Sequence, residues 1–137
     1  EEEILDSKLA PDMFNFKKQV QVFTDGTVGG VYRLAGLEKP VLPDQEITIN
    51  DLRARVDAAR QLLEKVNPET VEGMESVKIK LPWMPPGGYF ESKYFLEEFL
   101  FRNNIFHLTT AYNILRMKGV VLGKAAFLNG YGLKMEQ

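Results

Sequence analysis

The chain has 137 residues, enough for one domain, and residues 1–137 read as a single unit. Apolar residues make up 45% and charged residues 26%, which suits one sizeable core and argues against disorder. Seventeen basic side chains face nineteen acidic ones, and there is no cysteine. That balance argues against a nucleic-acid partner, and the missing thiol rules out disulfides, zinc fingers, iron–sulfur clusters and cysteine nucleophiles.

Residues 1–11 form an entry segment that opens on three glutamates and closes at Pro11. No basic signal-like start is present, and no apolar run nears the roughly 20 residues that span a bilayer. A cytoplasmic location with no membrane contact is therefore expected. Asp12 is a candidate N-cap for a helix over residues 13–34. Phe16, Val20, Phe23, Thr27, Val31 and Leu34 fall on one helical stripe. Gly26, Gly29 and Gly30 interrupt it, which predicts a bend, a break, or close approach of another backbone. Gly36 is the stop.

Residues 37–46 contain Pro40 and Pro43 and read as a connecting loop. Thr48 and Asp51 form a capping box for a second helix that runs to about Val66. Its predicted core stripe is Leu52, Val56, Ala59, Leu63 and Val66. Asp51 and Arg55 have the favourable order for a helix-face ion pair. Asn67-Pro68 ends the helix.

Residues 76–81 alternate: Val77, Ile79 and Leu81 against Lys78 and Lys80. A short strand is predicted, turning through the Pro/Gly cluster and returning at Tyr89, Phe90 and Glu91. Ser92 is a candidate N-cap for the third helix, and Gly119 its stop. That helix is apolar nearly all round, so burial on several sides is expected, Phe106 included. Residues 120–137 look irregular.

His107 is the candidate catalytic residue, as a general base or as one leg of a metal site. Asp12 or Asp25 could join it. The simpler role is a packed core histidine bonded to an asparagine or a backbone carbonyl. One histidine falls short of the three ligands usual at catalytic zinc, so no metal and no cofactor are predicted. Gly26, Gly29 and Gly30 lie within a helical pattern and not after a strand, so a dinucleotide loop is not indicated. The aromatics Phe95, Phe99, Phe101 and Phe106 read as core packing.

Two runs carry a family resemblance. One is Asn104-Ile105-Phe106-His107-Leu108-Thr109-Thr110-Ala111-Tyr112-Asn113-Ile114-Leu115-Arg116, followed by Gly119, Gly123-Lys124 and Phe127-Leu128. The other is Leu9-Ala10-Pro11-Asp12-Met13-Phe14, then Gln19-Val20-Gln21 and Arg33-Leu34-Ala35-Gly36. Together they resemble a domain-of-unknown-function family within the DinB/YfiT-like group. The resemblance implies an all-α, up-down-down-up four-helix bundle with a small β-hairpin. It also implies a superfamily of metalloenzymes with a histidine triad at one end of the bundle, and thiol-dependent transferases or isomerases among them. In metal-binding relatives, histidines would stand at the positions of Gly26 and Ala111, so this chain keeps only His107.

The resemblance further implies a helix ahead of Leu9, and the chain is expected to begin after it. The apolar groove so exposed must be filled. A homodimer through Phe101, Ile105, Leu108 and Tyr112 is the expected solution, with a small apolar ligand as a further partner. The function expected is that of a degenerate member without the triad. The alternative is a metal- or thiol-dependent hydrolase or transferase using His107.

Overall fold

The computed structural model describes residues 2–74 and 76–128. Helix α1 spans Glu2–Leu5 and α2 spans Phe16–Leu34. The α2 cap is Asn15, whose side chain accepts from Lys18 N at 2.9 Å. Asp12 is not the cap: it sits exposed in the preceding turn, three residues too early to reach the first free N–H groups. At the other end Gly36 has φ +68°. Its N–H bonds to Arg33 O, and Leu37 N–H bonds to Tyr32 O. This pair is a Schellman stop, and the left-handed residue it needs is most easily glycine. The third helix ends the same way at Gly119.

The three internal glycines neither break nor end α2. A Cβ on Gly30 would lie 2.6 Å from a Leu100 methyl, so this position exists to admit a side chain, not a backbone.

Residues 37–46 run back along α2. Lys39, Asp44 and Glu46 meet Asp25, Lys18 and Gln21 in turn. Helix α3, Ile49–Glu64, therefore starts near the same end as α2 and runs parallel to it: Thr24 meets Arg55, and Tyr32 Oη donates to Leu62 O. The predicted capping box is present, with Thr48 Oγ1 accepting from Asp51 N and Asp51 accepting from Thr48 N. Asp51 accepts from Ile47 N as well, and Arg55 pairs elsewhere, so the expected Asp51–Arg55 ion pair does not form. Asn67-Pro68 ends α3 and also caps the short α4, Pro68–Glu72.

Strands β1, Lys78–Ile79, and β2, Phe90–Glu91, form an antiparallel hairpin with Ile79 opposite Phe90. The third long helix is continuous from Ser92. It comprises α5, Ser92–Tyr94, a π-helical segment, Phe95–Leu100, and α6, Phe101–Met117. Ser92 is its first residue and not its cap; its hydroxyl donates to Met74 O at 2.7 Å. A short α7, Lys124–Phe127, follows, with Phe127 edge-on to Tyr112. The rest of the predicted irregular tail lies outside the described residues.

Helix α2 is the central element, and both α3 and α6 pack on it. One core cluster joins Leu5, Phe16, Leu52, Ala111 and Ile114. The other joins Leu34, Ile79, Phe95 and Leu100. Phe106 is not in either. It is 55% exposed, as is Phe101, because the all-round apolar pattern of this helix exceeds what two neighbours can cover. Val56 is also exposed, on the rim of an apolar groove of about 740 Å³ lined by Phe16, Val20, Ile49, Leu52 and Leu115. No described helix is long and apolar enough to cross a membrane.

Candidate functional site

His107 lies on the α6 face that meets α2. The two helices run antiparallel, so Leu100 meets Gly30, Asn104 meets Thr27, and His107 meets Gln19. His107 Nδ1 is 2.7 Å from Gln19 Oε1. Gln19 Nε2 in turn lies 3.2 Å from the Phe14 carbonyl, which can only accept. That contact fixes the amide, so its oxygen faces the imidazole and Nδ1 carries the proton. Nε2 keeps its lone pair. Burial pushes the imidazole pKa below its ordinary value, which favours the neutral ring. Phe14 stacks on the ring at 6.5 Å, and Phe106 meets it edge-on at 5.2 Å.

The bonding partner is thus a glutamine from another helix, not the asparagine or backbone carbonyl that sequence suggested. The apolar periodicity of α2 does not reveal Gln19, because the residue is polar. Yet it stands three residues after Phe16, on the face that α2 buries.

Neither carboxylate considered for His107 bonds to it. Asp12 is exposed. Asp25 is tied to Arg55 at 3.1 Å and faces Lys39 at 3.6 Å. The two positions where the resemblance places histidines in metal-binding relatives carry no ligating side chain here. Gly26 faces Asn103 and Asn104, while Ala111 lies in the core with Phe16. Among the described residues, no three His, Asp or Glu side chains gather where they could hold a metal ion. Beside Gly26, Asn104 donates to Thr27 Oγ1, but its own Oδ1 is buried without a partner among the described residues.

The densest polar cluster surrounds Arg55, whose side chain is 2% exposed. Nε donates to Thr24 Oγ1, and Nη1 to Glu46 and to Pro43 O. Nη2 reaches Asp25 and Gln21 O. Asp44 also lies 3.1 Å from Nη1. Burial pushes the Glu46 carboxyl up, but hydrogen bonds from Arg55 and Gln21 outweigh it and hold the group below its usual value. Asp44 is held down in the same way, by Lys18 and Arg55 against burial. Every nitrogen of the guanidinium is engaged, so the cluster clamps α2, the return loop and α3 together. A visible signal existed: Arg55 sits three residues after Leu52 and four before Ala59, on the core stripe itself.

Three long helices with a parallel first pair, an antiparallel third and one small hairpin define a DinB-like helical fold. Residues 1–128 match the family described as "Domain of unknown function (DUF1993)", and the chain belongs to that family. It is similar, at 35% identity and a TM-score of 0.91, to a crystal structure of a DinB family member protein from Shewanella denitrificans. The match covers 98% of this chain and 76% of that one. No curated protein matches the chain significantly.

Proposed function

We propose that this chain is a binding protein of the DinB family, a homodimer that holds a small apolar ligand and performs no metal chemistry at His107. The observation that carries this reading is apolar surface left uncovered by three helices. The groove of about 740 Å³ has the size of a small-molecule site. On α6, Phe101, Ile105 and Leu108 are 55%, 56% and 40% exposed. Soluble monomers rarely keep such patches in water, and one self-complementary face is enough to close a two-fold dimer.

Light scattering at micromolar concentration tests the assembly. The expected mass is twice the 15.6 kDa of one chain, reduced by the paired changes Phe101→Asp and Ile105→Asp. A single-chain mass that persists on concentration refutes the dimer. Titration with the neutral dye N-phenyl-1-naphthylamine tests the groove. Saturable binding weakened by Val56→Lys supports it, and binding unaffected by that change removes it.

A second reading rests on one specific observation. Because Nδ1 is the protonated nitrogen, His107 offers an unprotonated Nε2 on a neutral ring, as a general base or a metal ligand requires. A hydrolase or transferase using His107 would follow. Elemental analysis finding about one zinc or nickel per chain, lost in His107→Ala, would favour this reading and overturn the first.

A further inference from the structure

A second cavity, of about 320 Å³, opens on the opposite flank of α2, between that helix, the π-helical segment and the hairpin loop. Its walls are unlike those of the apolar groove. Trp83, Phe95 and Phe99 form an aromatic side. Trp83 is held by Phe99 at 5.8 Å and Phe90 at 6.3 Å, yet remains 64% exposed. A large flat ring fixed on one side and open on the other is a ready stacking surface.

Two cations, Arg33 and Lys39, line the same cavity. Both cross the bare backbone of Gly29. The point where a Cβ would sit there is 2.7 Å from Arg33 Nη1 and 3.0 Å from Lys39 Cδ. A side chain at this position would therefore push the two cations away. Arg33 makes one hydrogen bond, from Nη1 to Gly29 O, and no ion pair among the described residues. One carboxylate, Asp25, lines the same cavity; it pairs with Lys39 at 3.6 Å and lies closer to Arg55, at 3.1 Å. Two cations of the lining thus share one carboxylate, which Arg55 also engages. Asn103 lines the same cavity, with its Nδ2 directed toward Gly26. The π-helical segment supplies Phe95, Phe99 and Leu100 to the wall, and such segments are frequent at functional sites.

We propose that this cavity binds a small aromatic carboxylate. Arg33 and Lys39 take the anion, Asn103 donates to it, and the ring lies against Trp83 and Phe99. The guanidinium fork suits a carboxylate in two-point contact. The size of the cavity limits the ligand to one ring with a short acidic arm.

Trp83 is the chain's single tryptophan, so its fluorescence reports on the site directly. Titration with benzoate and phenylacetate should give a saturable change. Phenylacetamide, the same size but neutral, should bind about tenfold more weakly or worse, and so should acetate, which lacks the ring. Arg33→Met should weaken phenylacetate by a similar factor. Lys39→Met, in an exposed loop, makes the same test should the arginine variant fail to fold. No saturable response to either acid would overturn the proposal. Equal affinity for phenylacetamide, or unchanged binding in the charge variants, would overturn it too.

Discussion

Gln19 on α2 accepts a 2.7 Å hydrogen bond from His107 on α6, across 88 positions of sequence. One amide thereby selects the tautomer of the chain's single histidine. The shape-similar change Gln19→Leu would strand a buried N–H, at a cost of about 1–3 kcal/mol. Chemical denaturation reads the loss. Nitrogen NMR of the imidazole should show Nδ1 protonated in the wild type, and a protonated Nε2 in its place would contradict the bonding pattern.

The same histidine sets a pH dependence. Its folded pKa lies below the ordinary 6.5. As pH falls through 6.5, the unfolded chain takes up a proton that the folded chain resists, so stability declines until the lower folded value is passed. His107→Gln should abolish this decline while leaving the steeper loss at more acid pH. Denaturation midpoints between pH 8 and 5 decide the matter, and identical slopes in both proteins would refute it.

Arg55→Met should cost about 3–5 kcal/mol, since it leaves the buried Glu46 beside an apolar side chain with no compensating charge and Asp25 with Lys39 alone. Adding Glu46→Gln should recover part of that loss, because the buried charge goes with it. Two strictly additive losses would show that the pair does not interact.

Gly30→Ala should cost about 1–3 kcal/mol through collision with the Leu100 methyls. Leu100→Ala alone should also destabilise, by leaving a hole. Combined, the two should cost less than their sum, because one vacates what the other fills. A double-mutant cycle with no coupling would place Leu100 elsewhere.

Phe106→Ala should now cost no more than about 1.5 kcal/mol, because only half of the ring is covered. A buried ring would cost about 3–5 kcal/mol. This residue marks where the sequence stops being legible. Periodicity and the stop glycines Gly36 and Gly119 located all three long helices and two of their ends, because stripes and stops are local chemistry. Two of the N-caps did not follow, since Asn15 and not Asp12 caps α2, and Ser92 bonds to Met74 O. Phe106 and Phe101 look identical to Phe95 and Phe99 in composition; only the number and placement of neighbouring helices separates them. The Arg55 clamp failed to show for the opposite reason. Its partners, Asp25, Asp44 and Glu46, are ordinary surface-type residues until the return loop brings them together. Gln19 is hidden within its own helix because a buried polar side chain adds nothing to an apolar stripe.

The return loop over residues 37–46 carries a kinetic consequence. It has no helix or strand of its own, and charge pairs with Lys18, Asp25 and Arg55 tie it to the helices. Parallel neighbours such as α2 and α3 can pair only once this segment has traversed the length of a helix, which is a late and entropically costly step. The loop is thus the natural first unit to open under native conditions, and α3 loses its tether when it does. Amide protons of α3 should exchange faster than those of α2 and α6, and added salt should widen the gap, since it weakens the exposed ties of Lys18 and Lys39 while leaving the uncharged contacts of α2 with α6 intact.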